Sequence, residues 1–255
     1  MPGPSRAVLI CAAAALLIGA AAVGVRAMWR SEDLDRLMRA DPETILSNRD
    51  LAPMALKIGR NGFEHHCASC HGTGKGDPQR GIPDLIDRDF LYGDGKVAEI
   101  EMIVLHGIRA GDSKGWDLAE MPAYASLKPY AREPLPSLQP AQIADITQFL
   151  MQVRGRATDP VAAKRGKVMF KTSAGCWDCH GPDGAGDNAV GAPNLLDDIW
   201  LYGDGSPANI GLSIAYGRAG RSPAFAHTIS AGEARAIAIY VASLARPHPG
   251  DDHAQ

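Results

Sequence analysis

The pentapeptide C-x-x-C-H occurs twice in this 255-residue chain, as CASCH with Cys67, Cys70 and His71, and as CWDCH with Cys176, Cys179 and His180. Each copy opens a longer repeat: CASCHGTGKGDPQRGIPDLIDRDFLYGDG in the first and CWDCHGPDGAGDNAVGAPNLLDDIWLYGDG in the second. Both run on through an apolar segment, EIEMIVLHGIRAG or NIGLSIAYGRAG, to a Pro-Ala-aromatic-Ala core, MPAYA from Met121 and SPAFA from Ser222. The period from Cys67 to Cys176 is 109 residues, too long for a solenoid and right for duplicated domains.

The chemistry of this spacing is specific. Two cysteines three apart can each form a thioether with one vinyl group of a haem, and the adjacent histidine then reaches the iron as proximal ligand. Structural zinc is the main competitor, since two C-x-x-C pairs could supply four thiolates. The 105 residues between Cys70 and Cys176 far exceed the gap of common zinc ribbons, and zinc gives no reason for a histidine after both pairs. A thioredoxin-like redox pair fails on the same histidines. The reading is two covalently bound haem c groups, with Cys67, Cys70, Cys176 and Cys179 as attachment points and His71 and His180 as iron ligands.

Helices frame each repeat. Leu56, Gly59 and Phe63 before the first cysteine pair, and Ala162, Gly166 and Phe170 before the second, fall at helical spacing. Pro140 suits the first turn of a helix carrying Ile143, Ile146 and Leu150, and Ser230 with Glu233 forms a capping-box pattern. Between these helices the chain is rich in Gly, Pro and Asp, and aromatic residues are only 6% of the total, so a bound cofactor is expected to supply apolar volume. RGRATDP, residues 154–160, interrupts the pattern between the repeats, and Asp41 with Pro42 suits a helix start in the segment that precedes them.

An iron-bound histidine needs an acceptor for its other ring nitrogen, which fixes the ring and raises its basicity. Pro83 in GIPDL and Pro193 in GAPNL, 12 and 13 residues on, can offer backbone carbonyls; the alternative is that they are only turn prolines. A methionine thioether is a common sixth ligand in electron-transfer sites. Met121, 50 residues after His71, is the candidate for the first haem, with core packing as the alternative. Ser222 cannot play that part in the second repeat, where His227 is the candidate and a solvated surface histidine the alternative. His65 and His66 read as peripheral, and His106 as lining the haem surroundings.

Residues 7–25 contain no charged or strongly polar side chain. Nineteen residues at ~1.5 Å rise cross roughly the 30 Å hydrocarbon core. The run reads as an anchor that delivers both haem sites across a membrane, while Ala20 and Ala22 offer the A-x-A site of a cleaved signal peptide as the alternative. Cys11 within it reads as an apolar filler. The net charge of -3 and the absence of Lys/Arg runs leave no electrostatic footprint for nucleic acid.

At these residues the chain resembles class I c-type cytochromes, and within them the dihaem subunit of cbb3-type cytochrome oxidases. The resemblance covers roughly residues 54–245 and rests on CASCHG, GIPDL, DFLYGDG and MPA, then CWDCHG, GAPNL, DIWLYGDG and PAF. It implies an all-α chain of two tandem cytochrome c domains behind an N-terminal transmembrane helix, with a Met/His pair on both haems. The expected organisation is an anchor or signal at 1–30, a helical connector at 31–53, domains at 54–155 and 156–246, and a disordered tail at 247–255. The implied setting is the bacterial inner membrane with the haem domains in the periplasm, or the periplasm itself if the leader is cleaved. The implied partner is a redox protein or a membrane oxidoreductase complex. The sequence departs from this pattern at Ser222, and the loop from LYGDG to the ligand position has 25 residues in the first repeat (96–120) against 16 in the second (206–221). Two functions remain open. One is electron transfer between a respiratory donor and a terminal oxidase or other acceptor; the other is an open second haem that binds CO, NO or peroxide. No acid/base set for a peroxidase is evident, so catalysis is left undecided.

Overall fold

The computed structural model describes residues 19, 21, 28, 30–87, 89–130 and 134–245. Most of the apolar run 7–25, Cys11 included, and the tail 247–255 lie outside them. Among the described residues no helix is long and apolar enough to cross a membrane, and there is no strand, only isolated bridges.

Local signals set the helix starts. Residues 30–39 are helical and a 3₁₀ helix follows at Pro42–Ser47, where the Asp41 carboxylate accepts from the Glu43 N–H. The first repeat contributes α1 (Ala52–His66), the short α2 (Ala68–His71), α3 (Val97–His106) and α4 (Pro140–Val153). The second contributes α5 (Pro160–Lys171), α6 (Trp177–His180), α7 (Pro207–Tyr216) and α8 (Ala231–Leu244). Asp159 caps α5 by accepting from the N–H groups of Val161 and Ala162, and Pro160 occupies a first-turn position where no N–H is needed. At α8 the Ser230 hydroxyl accepts from the Glu233 N–H. The Glu233 carboxylate lies 3.2 Å from Arg30, tying the helical stretch 30–39 to α8.

Among the described residues, the helices pair across the repeats, except for α1 with the adjacent one-turn α2. The first helix of repeat one, α1, packs against the last helix of repeat two, α8, while α4, the last helix of repeat one, packs against α5. Both pairings use the same device. A Cβ on Gly59 would stand 1.9 Å from the Ala236 carbonyl oxygen in α8, and a Cβ on Gly166 would stand 2.0 Å from the Asp145 carbonyl oxygen in α4. Only glycine lets the backbones approach so closely. One turn on, Phe63 stacks on Tyr240 with ring centroids 5.3 Å apart, and Phe170 meets Phe149 edge-on at 5.2 Å. Burying each phenylalanine stabilises its pair by about 1.5–3 kcal/mol.

The two apolar cores are therefore each built from both repeats. One joins Leu37, Ile45, Ala55, Val97 and Ile100 to Ala236 and Ile239; the other joins Ile146, Phe149 and Leu150 to Phe170, Ile210 and Ile214. An ion pair ties the first together: Arg235 on α8 meets Glu101 on α3 at 2.8 Å and also donates to the carbonyls of Leu37, Met38 and Ala40. Arg154, at the end of α4, meets Asp198 at 2.5 Å, donates to the Gly205 carbonyl and lies over the Trp200 ring.

The stretches 54–155 and 156–246, expected to close as separate domains, thus exchange their C-terminal helices. The physical reason is that α1 and α5 present the same Gly/Phe face, so either late helix fits either. The six-residue connection 154–159 makes α4 with α5 the pairing of lowest closure entropy.

Candidate haem centres

The two C-x-x-C-H segments have the same geometry. Cys67 and Cys176 cap one-turn helices that end at His71 and His180, and the histidine N–H returns to the first cysteine's carbonyl at 2.9 and 3.0 Å. His71 Nδ1 lies 3.3 Å from the Pro83 carbonyl oxygen, and His180 Nδ1 lies 3.0 Å from that of Pro193. A carbonyl can only accept, so each Nδ1 carries the proton and each Nε2 keeps its lone pair for a metal. Burial lowers the pKa of both rings, against a smaller upward pull from the proline carbonyls, so both imidazoles are neutral and competent to ligate.

Burial also pushes the thiols of Cys67 and Cys176 up to about 11, a setting that disfavours a thiolate metal site. Among the described residues no three His, Cys, Asp or Glu side chains converge as a metal-holding group, and Cys176 packs against a core that does not include Cys67 or Cys70. Beside Cys176, Cys179 and His180 opens a cavity of about 220 Å³ walled by apolar side chains such as Leu135, Ile146 and Leu195. That is many times the roughly 10–15 Å³ that one water needs, and fits a large apolar group carried by the two cysteines.

Met121 lines this cavity, on the side of His180 rather than His71. Its backbone pairs with Arg218, Met121 N–H to Arg218 carbonyl at 2.9 Å and Arg218 N–H to Met121 carbonyl at 3.3 Å. Further along, the N–H groups of Tyr124 and Ala125 donate to the carbonyls of Ile214 and Ala215 at the end of α7. The Tyr124 hydroxyl donates to the Ala174 carbonyl, two residues before Cys176. Burial drives the Tyr124 hydroxyl's pKa upward, keeping it a neutral donor.

The other repeat does the reverse. Ser222 pairs with Ile108 through two 3.0 Å hydrogen bonds, and Phe225 and Ala226 donate to Val104 and Leu105 at the end of α3. The Phe225 ring lies 5.5 Å from that of His66, next to Cys67. In repeat register, Val104 and Leu105 are the counterparts of Ile214 and Ala215. The two segments have exchanged partners.

This corrects the pairing expected from the sequence, in which Met121 belonged to the first haem and Ser222 to the second. The departing segment travels with its exchanged helix, so Met121 accompanies α4 to the His180 side and Ser222 accompanies α8 to the His71 side. His227 is exposed and near Asp112, whose carboxyl is held low mainly by its 2.9 Å hydrogen bond to His106 and in part by the His227 charge. His65 bonds its own helix at the Asn61 carbonyl.

Two tyrosines carry a role that sequence reading missed. The Tyr92 ring lies where a Cβ on Gly191 would stand, 2.1 Å away, and the Tyr202 ring does the same at Gly81, 2.0 Å away. Gly81 and Gly191 each lie two residues before the proline that holds a histidine, so each repeat's L-Y-G-D-G reaches the other repeat's histidine loop. Arg109 lies over Tyr92 at 5.9 Å and Arg218 over Tyr202 at 4.5 Å, and both arginines line the cavity. The repeated Tyr and Arg-Ala-Gly were visible as sequence; their reciprocal contacts were not.

The family model of cytochrome c matches residues 56–154, and that of cytochrome c oxidase, cbb3-type, subunit III matches residues 161–241. The chain is 36% identical over 216 residues to the cbb3-type cytochrome c oxidase subunit FixP of Azorhizobium caulinodans, covering 84% of this chain and 68% of that one. It is 36% identical over 218 residues to subunit CcoP of Rhodobacter capsulatus, covering 82% and 69% respectively. To subunit CcoP of Cereibacter sphaeroides it is 32% identical over 209 residues, covering 82% and 68%.

Proposed function

The chain belongs to the family of the dihaem subunit of cbb3-type cytochrome c oxidases, and from that membership we propose that it relays electrons singly from a respiratory donor to a terminal oxidase. It carries two covalently bound haem c groups, which supply reversible one-electron chemistry at iron.

The chain's own residues orient and insulate that chemistry. Cys67 and Cys70 hold one group and Cys176 and Cys179 the other; the carbonyls of Pro83 and Pro193 fix the rings of His71 and His180. Met121, which lines the same cavity as His180, would offer its thioether to the group held there, a choice that raises potential and excludes outside ligands. The apolar wall of the cavity excludes water, and Arg109 and Arg218 offer cations to the two carboxylates of a haem.

The observation that carries a relay, rather than two unrelated haems, is the reciprocal seating of Tyr202 on Gly81 and Tyr92 on Gly191. It brings the loops that hold the two proximal histidines against each other's repeat. Residues 7–25 hold the protein at the inner membrane with its haem units in the periplasm, or direct it there if cleaved after the Ala20-x-Ala22 site.

Affinity purification of the tagged chain from respiring membranes tests the proposal. An oxygen-reducing complex should accompany it, with two haem c groups per chain by pyridine haemochrome. A two-haem chain that emerges without any oxidase activity contradicts it.

A further inference from the structure

We infer that the haem on Cys67 and Cys70 has no protein ligand opposite His71, and that this position binds a neutral diatomic gas such as CO or NO beside the Ser222 hydroxyl. The inference rests on the two-haem reading and assigns an open site to the first haem, the opposite of what the order of the motifs implies.

Backbone register fixes which residue stands at that position. Tyr124 and Ala125 bond Ile214 and Ala215 on the His180 side, and Phe225 and Ala226 bond the equivalent Val104 and Leu105 on the His71 side. Three residues before each aromatic stands Met121 in one case and Ser222 in the other. A serine hydroxyl is a poor substitute for a thioether on a haem iron, but it can donate a hydrogen bond to a small bound ligand.

Among the described residues, the side chains that could take the methionine's place are turned elsewhere. The counterpart of His227 in the other repeat is Ser126, which is exposed, so this position points to solvent; His227 is itself exposed. The counterpart of His106 is Tyr216, 69% exposed, and His106 is turned to Asp112 in the extra loop of the first repeat. Met102 and its counterpart Leu212 are both on the outer face, 40% and 48% exposed. The Ser222 segment is also held in place, since its partner Ile108 is pinned on its other side: the Arg109 N–H donates to the Trp116 carbonyl and the Trp116 N–H to that of Gly107. The extra loop thus props the serine segment and leaves it little room to swing another residue inward.

The test uses the purified full chain loaded with haem. After reduction with dithionite, CO should shift the Soret absorption of half of the total haem. Ser222→Met should bring that fraction to zero, and Met121→Ala should raise it to the whole. Ferric EPR of the unaltered protein, which depends on no variant folding, should show a high-spin signal beside a low-spin one. Two haems per chain with no CO-reactive fraction and no high-spin signal overturn the inference, as does a CO-reactive half that survives Ser222→Met. Fewer than two haems per chain would instead overturn the dihaem reading beneath it.

Discussion

Met121 and Arg218 exchange backbone hydrogen bonds of 2.9 and 3.3 Å although they lie 97 positions apart, one in each repeat. That bridge sets the only methionine of the two Pro-Ala-aromatic-Ala motifs in the cavity that His180 also lines. The first prediction follows from it. Met121→Ala should lower the potential of the His180 haem, by a fraction of the ~0.8 V range that axial ligands span, and leave the other haem's potential in place. A potentiometric titration of wild type and variant checks this; the methionine-dependent near-infrared band of the ferric protein should vanish at the same time.

The exchanged helices are testable by energetic coupling. Phe63 and Tyr240 stack at 5.3 Å, so a double-mutant cycle to leucine should return about 0.5–1.5 kcal/mol of interaction. Phe63 with Phe149, the partner it would need if α1 packed on α4, should return none. Denaturant unfolding of the holoprotein provides the readout.

Arg235 is a polar tie between α8 and the first repeat, with side-chain exposures of 14% for Arg235 and 9% for Glu101. Arg235→Ala strands the Glu101 carboxylate and should cost about 3–5 kcal/mol of stability, whereas adding Glu101→Gln should recover part of the loss. The midpoint of urea unfolding follows both.

The extra loop of the first repeat has an acid-sensitive clasp. The hydrogen bond from His106 holds the Asp112 carboxyl below the ordinary aspartate range. A depressed carboxylate stabilises the fold above its unfolded pKa, and the contribution is lost as pH falls through the folded value. Trp116 fluorescence should therefore stay constant through neutral and mildly acidic pH and change only below the ordinary aspartate range; Asp112→Asn should remove that transition.

Much of this was legible locally. The caps at Asp41 and Ser230, the Gly/Phe spacing of α1 and α5, and the proline carbonyls near His71 and His180 are short-range features written in adjacent residues. The exchange was not, because α1 and α5 carry the same Gly/Phe signature and no residue pattern tells α1 to choose α8 over α4. A repeat states that two surfaces are alike, and alike surfaces leave partner choice to chain connectivity. Met121 illustrates the consequence: its ligand chemistry was readable from MPAYA, but the histidine it faces depended on where α4 went. Tyr92 and Tyr202 were likewise visible as repeated letters, while their seats on Gly191 and Gly81 exist only after the crossing.

An experimental structure of the haem-loaded chain, with iron located by anomalous scattering, tests the central claim most directly. The predicted result is the Met121 sulfur on the iron held by Cys176, Cys179 and His180, with Ser222 facing the iron held by Cys67, Cys70 and His71. Met121 on the His71 iron, with α1 packed on α4, would contradict it.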